Sequence, residues 1–205
     1  MDAIVFDTET TGFRPGNICQ LAYIKVDGPQ VSGVNMYFNV SYVEPGAQRI
    51  HGLSAEKLGA LSGGLRFGDR AAQISADFSA HGLWIAHNYK FDCSFLQAEY
   101  HRIGAPAPKP TIPFCTMNYY TPIIKLPPAR HKAGPQDFAQ QYKYPRLDEL
   151  IEFIGITEDE IIDCARGVFP AGPDDIKQHD ARFDCAATYL CYKKGAAAGY
   201  GPDGD

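Results

Sequence analysis

The chain has 205 residues, of which 45% are hydrophobic, 21% charged and 12% aromatic. This apolar fraction is enough for one sizeable core, and the lack of a long uncharged apolar run excludes a membrane-spanning helix. The formal net charge of −5, taken alone, argues against a nucleic-acid partner, because such partners usually require a basic face.

The first residues and the cysteines indicate where the protein resides. Residues 1–7 carry no basic segment, and their apolar run is too short for a secretory signal. The six cysteines form no close Cys–Cys or Cys–His pair, so neither a zinc site nor a disulfide framework is expected. The sequence therefore predicts a cytoplasmic protein with free thiols, no zinc and no membrane association.

The first half of the chain alternates between strand and helix signals. Short runs of β-forming residues predict strands at residues 3–6, 18–26, 31–40 and 83–86. An Asp-Gly-Pro turn joins the second and third strands into a hairpin. Helices are predicted in a short segment capped by Ser54, at about 69–80, and at 92–103, where Gly104 ends the helix.

The second half is more strongly interrupted by proline and glycine. A proline-rich stretch precedes a helix from Thr116, and residues 125–146 are predicted to form a long loop. Apolar stripes with i, i+3, i+4, i+7 spacing predict a helix from Leu147 and a last helix around 183–191. This order suits an α/β sheet in one domain of residues 1–194, followed by a flexible tail at 195–205.

The segment FDTETTG places two acidic residues at the end of the first strand. Asp7 and Glu9 should project to the same face, since residues i and i+2 of a strand do so. Two adjacent carboxylates repel each other unless a cation lies between them, and a hard divalent metal would serve. A polar strand end with two solvated acids is the alternative.

The segment HNYKFD lies where the fourth strand ends and a helix begins. Asp92 is either the N-cap of that helix or a third carboxylate at the same sheet edge as Asp7. The segment HDARFD opens the last helix, and an unpaired acid beside the apolar stripe, as at Asp184, would be costly. His179 is expected in the preceding loop, folded over Asp184; a surface histidine beside an N-capping Asp180 is the alternative.

In order and spacing, these three segments resemble the motifs of the DEDD exonucleases of the histidine subtype, the DnaQ-like superfamily. RIHGLS, at residues 49–54, is similar to the family's IHG segment, and RLDEL with the later IGI is similar to its LxxL…LGI helix. The resemblance covers residues 3 to about 194. It implies a ribonuclease H-like fold with a central mixed five-stranded sheet, one antiparallel hairpin strand and flanking helices.

The resemblance also implies a 3′–5′ exonuclease that uses two divalent cations, Mg²⁺ or Mn²⁺, and releases nucleoside 5′-monophosphates. By this resemblance Asp7 bridges both ions, while Glu9 and Asp184 complete the water-activating site. Asp92 holds the second ion, partly through water. His179 accepts a proton from the attacking water.

The same resemblance assigns contacts with the terminal nucleotide. The turn formed by Thr10, Thr11 and Gly12 would hold that nucleotide together with His51, and Asn88 is a further candidate. An ordinary loop histidine is the alternative for His51.

The predicted loop at 125–146 contains five basic residues and one acidic residue, a local charge of +4. Three aromatic residues lie among them, an arrangement typical of surfaces that bind single strands. A flexible, solvated loop would show the same composition. The candidate nucleic-acid contacts are Lys125, Arg130, Lys132 and Lys143.

These features together predict a 3′–5′ exonuclease for single-stranded or frayed 3′ ends of DNA, of the proofreading or repair type. The motifs resemble those of the proofreading subunits of bacterial DNA polymerase III, so a polymerase partner and a free-standing enzyme both stay open. The alternatives are an exoribonuclease that trims RNA 3′ ends and an inactive nuclease fold that serves as an interaction module. The net charge of −5 does not exclude nucleic acid, because four negative charges lie on the proposed metal ligands.

Overall fold

A computed structural model describes residues 2–128, 142–170 and 176–200. Its sheet has the strand order β3-β2-β1-β4-β5, in which β2 runs antiparallel to β1 and β3, and β4 runs parallel to β1 and β5. The predicted mixed five-stranded sheet with one antiparallel strand is confirmed. The strands are β1 (Asp2–Thr10), β2 (Ile18–Asp27), β3 (Gln30–Tyr37), β4 (Leu83–Ala86) and β5 (Ile112–Cys115).

The described ranges contain eight α-helices and a final π-helical turn, and none of these helices is both long and apolar enough to cross a bilayer. The helices are α1 (Pro45–His51), α2 (Ala55–Leu61), α3 (Phe67–Ala80), α4 (Tyr89–Arg102), α5 (Thr116–Ile124), α6 (Leu147–Ile154), α7 (Glu158–Val168) and α8 (Ala181–Gly195).

The apolar residues of β1 alternate between two cores, because successive strand residues point to opposite faces of the sheet. Ile4 and Phe6 pack among residues of α3 and α4. Ala3 and Val5 pack among residues of α5, α6, α7 and α8 on the other face. Helices therefore cover β1 on both faces, which explains its nearly continuous apolar sequence.

The helix after β4 begins earlier than the sequence predicts. α4 starts at Tyr89, so Asp92 lies within its first turn, and the interpretation of Asp92 as the N-cap is wrong. The N-cap is Asn88, whose φ of 60° and ψ of 44° are left-handed. The sharp turn from strand to helix requires this conformation, and asparagine tolerates it better than most residues.

Several elements differ from the prediction: two helices and the strand β5 are additional, and β1 ends at Thr10 and not at residue 6. α1 and α7 were not predicted, although Thr157 and Glu160 form a capping box at the start of α7. β3 ends at Tyr37 and not at residue 40, because the Asn39 N–H turns away to donate to the Leu65 carbonyl at 2.7 Å.

The structure describes parts of the predicted loop at 125–146 and of the predicted tail at 195–205. The Lys143 N–H donates to the Leu126 carbonyl at 3.0 Å, which brings together the two ends of the predicted loop at 125–146. Residues 129–141, with Arg130 and Lys132, lie outside the described residues. Residues 196–200 of the predicted tail form the π-helical turn, and the ring of Tyr200 packs on Phe153 at 5.5 Å.

Candidate metal centre

The predicted acidic site lies where β1 extends beyond its neighbour β4. The two strands pair only from Ala3 to Val5, so the end of β1 has no strand partner on that side. The first turns of α4 and α8 occupy this region and supply the side chains that surround the end of β1. The parallel strands β1 and β4 end at the same sheet edge, which brings the distant motifs together.

The structure brings three of the predicted carboxylates together at this edge. One carboxylate oxygen from each of Asp7, Glu9 and Asp184 lies within 4.8 Å of the other two. Asp7 and Glu9 share the β1 face that α8 covers, and Asp184 lies in the first turn of α8. The alternation of side chains along β1 therefore brings Asp7 and Glu9 together, and the position of the first turn of α8 adds Asp184.

The electrostatics of the group favour a bound cation. Burial raises the pKa of Asp7 and of Glu9 well above the usual range, and the neighbouring carboxylates raise both pKa values further. Burial, followed by Asp180 and Asp92, raises the pKa of Asp184 to about 7. Such acids stay charged at neutral pH only if a cation compensates them. Because every donor is a carboxylate oxygen, the group fits Mg²⁺ or Mn²⁺.

Asp92 adjoins this group and is held by the free edge of β1. Its Oδ1 accepts hydrogen bonds from the Thr8 backbone N–H at 3.0 Å and from the Thr8 hydroxyl at 2.7 Å. Burial raises the pKa of Asp92 to about 7, although the two bonds from Thr8 oppose this shift. The charge of Asp92 also raises the pKa values of Asp7, Glu9 and Asp184, but Asp92 is not part of the group whose oxygens lie within 4.8 Å of one another.

Replacing the Thr8 hydroxyl with a methyl group should therefore leave the Asp92 carboxylate less firmly oriented, without creating a cavity in the core. Thr8→Val is expected to lower Mn²⁺ affinity by about 10–100-fold, since groups that orient metal ligands have effects of this size. Isothermal titration calorimetry would measure the affinity. Thr8→Ser keeps the hydroxyl and is the matched control; equal affinities in the two variants would show that the hydroxyl does not position Asp92.

His179 lies in the turn before α8, as the sequence predicts. Its side chain is exposed and its φ is 62°, a left-handed conformation. A hydrogen bond from the His179 backbone lowers the pKa of Asp184, which places the backbone of this turn next to the acidic cluster. The charged form of His179 contributes, after burial, to the lowered pKa of His51.

A buried ion pair follows His179 directly. Asp180 is the N-cap of α8, as the alternative interpretation holds, but it is buried and not at the surface. The Arg182 guanidinium donates to both of its oxygens at 2.9 and 2.6 Å, and the Gln20 side chain donates at 3.0 Å. Arg182 is 1% exposed, so this long charged side chain compensates Asp180 inside the protein.

The predicted turn after β1 is closed by its own hydrogen bonds. The Thr10 hydroxyl donates to the Gly12 carbonyl at 2.9 Å, and the Thr11 hydroxyl accepts from the Asn17 N–H at 2.9 Å. Both threonines are buried. The structure thus gives Thr10 and Thr11 a role in shaping the turn, and their contact with a nucleotide stays a prediction.

His51 lies beneath this turn, while Asn88 lies on the surface. The His51 Nδ1 accepts from the Leu53 N–H at 3.0 Å, so its Nε2–H donates to the Thr10 carbonyl at 3.3 Å. Burial lowers the pKa of His51, which favours the neutral ring that these bonds require. Asn88 is exposed at the start of α4. Contact of either residue with a nucleotide stays a prediction.

A cavity of about 150 Å³ adjoins Glu9 and is bordered by apolar side chains that the sequence analysis missed. Phe13 is 73% exposed and Ile50 is 47% exposed, and both line the cavity with the half-buried Phe91. Large exposed side chains beside acidic groups can stack on an unpaired base. The only signal in the sequence was an apolar residue next to each polar motif.

The described lysines of the predicted basic loop differ from each other. Lys125 is exposed and ends α5 in a left-handed conformation with φ of 57°. The Lys143 ammonium forms an ion pair with Glu149, so a phosphate would have to compete with that carboxylate. Contacts of Lys125 and Lys143 with nucleic acid stay predictions.

Comparison with known proteins gives a family match and a fold match. The family model described as exonuclease, RNase T type, matches residues 4–158. The zinc-ion-bound form of an E. coli ExoI–ssDNA complex aligns with a TM-score of 0.69 and 19% identity, over 95% of this chain and 40% of that chain. The metal-free form gives a TM-score of 0.57 and 19% identity, over 76% of this chain and 35% of that chain.

The structural likeness confirms the predicted ribonuclease H-like fold. The chain spans less than half of the ExoI chain, and at this identity the likeness concerns the fold alone. No curated protein matches the chain significantly.

Proposed function

The chain belongs to the exonuclease family whose model matches residues 4–158, and we propose that it is a metal-dependent 3′–5′ exonuclease acting on single-stranded DNA. The observation that carries the proposal is the group of Asp7, Glu9 and Asp184, with ligand oxygens within 4.8 Å of one another, beside the anchored Asp92. A structural role for four acids at one sheet edge would be costly, because the pKa of each is raised.

The residues divide the work as follows. Asp7, Glu9, Asp92 and Asp184 would hold two divalent cations, which when bound supply positive charge to the reacting phosphodiester. Thr8 holds Asp92 in the orientation that this requires. The exposed imidazole of His179, in the turn whose backbone hydrogen-bonds to Asp184, accepts the proton of the attacking water.

His179→Ala should separate this proton transfer from metal binding. We expect kcat to fall by about 10²–10⁴-fold, the usual contribution of a general base, with Mn²⁺ affinity unchanged. Rates of mononucleotide release and calorimetric titration would measure the two quantities. His101→Ala, at an exposed histidine of α4, is the control. A parallel loss of Mn²⁺ affinity and kcat would mean that His179 supports the cluster instead.

The choice of single-stranded DNA has two supports. The similar solved structures are complexes of an exonuclease with single-stranded DNA. The cavity beside Glu9, with exposed Phe13 and Ile50 at its border, offers apolar surface to one unpaired terminal base. A frayed or mispaired 3′ end presents such a base, so the proposal includes proofreading or repair, alone or with a polymerase partner.

A panel of substrates tests the proposal. Single-stranded DNA, a duplex with a mispaired 3′ end, a fully paired duplex and a matched RNA would each be incubated with Mg²⁺, Mn²⁺ or Zn²⁺. Nucleoside 5′-monophosphates should appear fastest from the first two substrates with Mg²⁺ or Mn²⁺. Faster release from RNA would show that the substrate is RNA and not DNA. No release from any 3′ end would indicate an inactive interaction module.

A further inference from the structure

Two larger cavities lie where the segment 11–17 rejoins β2, whereas the cavity beside Glu9 lies where that segment leaves β1. Their volumes are about 310 and 220 Å³, and they share lining residues, so they form one groove. We call it the Arg66 groove. Its polar lining consists of Asn17, Asn39, Ser41, Arg66, Glu99 and Arg102.

The accessible charge of the Arg66 groove is positive. Glu99 is the one acid among the described residues that line it, and its side chain is 4% exposed. The Glu99 carboxylate accepts from the Ile18 N–H at 2.8 Å and from the Arg102 guanidinium at 2.9 Å, so it is already satisfied. The nearby Asp69 carboxylate accepts from the backbone N–H of Arg66 at 2.8 Å.

Among the described lining residues, Arg66 carries the charged group that remains available to a ligand. Its side chain is exposed, and it takes part in none of the ion pairs between described residues. The side-chain amide of Asn39 and the hydroxyl of Ser41 provide further donors, while the Asn17 amide donates to Glu99 at 3.3 Å. A guanidinium surrounded by amide and hydroxyl donors is suited to a phosphate group.

The groove is joined to the acidic site by rigid elements. The Thr11 N–H donates to the Asn17 carbonyl at 2.9 Å, which closes the segment between them, and Arg102 donates to the Gly16 carbonyl. Asp92 and Arg102 lie at opposite ends of α4, and ten residues of α-helix span ~15 Å. A strand with its 3′ end at the carboxylates would therefore need several nucleotides to reach the groove.

We propose that the Arg66 groove binds a backbone phosphate of the substrate strand, several nucleotides from the scissile bond. This inference rests on the proposed function, because it assigns a second contact to the same polynucleotide. It makes the enzyme selective for length: a long strand uses both sites, and a dinucleotide uses the acidic site alone.

Substrate length tests the inference. Arg66→Ala is expected to lower the ratio of kcat/KM for a long single-stranded oligonucleotide to kcat/KM for a dinucleotide by about tenfold, the order expected for one charge-assisted contact. The slope of log(kcat/KM) against log[salt] for the long strand should become shallower by about 0.7, the value for one lost phosphate contact. Arg66→Lys should retain most of the salt slope.

Arg70→Ala is a matched control for Arg66→Ala, and the activity of the unmodified protein tests the proposed function separately from the groove. Arg70→Ala removes the same charge one turn later on α3, outside the groove, and should keep the ratio of the unmodified protein. The fold is expected to tolerate Arg66→Ala, because Asp69 caps α3 through the backbone N–H of residue 66. If the unmodified protein releases no mononucleotide, the proposed function fails; if it is active but the two variants behave alike, the groove proposal alone fails.

Discussion

Asp7→Asn is expected to abolish nucleotide release and to stabilise the metal-free protein. Asp7 is one of the three grouped carboxylates, and its loss should lower kcat/KM by at least about 10³-fold, because bound metal ions contribute several kcal/mol to such reactions. The same carboxylate has a strongly raised pKa, caused first by burial and then by Asp92, Asp184 and Glu9. Replacing it with a neutral amide removes that repulsion.

Two measurements on one variant check this prediction. Mononucleotide release gives the activity, and urea denaturation in EDTA gives the free energy of unfolding, which should rise by on the order of 2 kcal/mol. Mn²⁺ should raise the melting temperature of the unmodified protein and have little effect on Asp7→Asn. Asp163→Asn, at an exposed position of α7, controls for net charge. A variant that is inactive and less stable than the parent would show that Asp7 supports the fold and not a metal.

The metal-free protein should also lose stability as the pH rises. The pKa values of Asp92 and Asp184 are raised from 3.8 to about 7, so between these values the native state binds more protons than the unfolded state. The unfolding free energy therefore falls with increasing pH. The contribution is fully present below the unfolded pKa and is lost as the pH passes through about 7. For the two groups together we expect a few kcal/mol.

Urea denaturation from about pH 5 to pH 8 in EDTA would show this decline. Saturating Mn²⁺ should flatten it, because a cation then compensates the carboxylates at every pH. The double variant Asp92→Asn, Asp184→Asn should show a shallower decline without metal, because the raised pKa values of Asp7 and Glu9 still contribute. Stability that increases over this range in EDTA would contradict the raised pKa values.

The grouping of the carboxylates could be predicted because it depends on local geometry. Asp7 and Glu9 share a face by strand parity, and the ends of the parallel strands β1 and β4 bring α4 to the same edge. The anchoring of Asp92 could not be predicted, because the Thr8 N–H is free only if β1 extends beyond β4. That extension depends on the lengths of two strands far apart in the sequence.

The buried ion pair was missed for a different reason. Arginine is almost never fully buried without a partner, so a sequence pattern places Arg182 at the surface. Its burial depends on Asp180 and Gln20 facing it from the helix cap and from β2. Phe13 shows the opposite deviation: it is an apolar residue that lies exposed, whereas aromatic residues are usually expected in a core. Both residues lie around the site, where function can oppose the usual burial preferences.

The end of β1, which extends beyond β4, gives the acidic site its own spectroscopic probe. The Thr8 amide proton is bonded to Asp92 and not to a neighbouring strand, so its exchange with deuterated solvent depends on the state of that carboxylate. Amides within the β1–β2 ladder respond mainly to opening of the sheet. The chemical shift and exchange rate of this single amide would therefore follow metal loading in the intact, unlabelled site, with the ladder amides as internal reference.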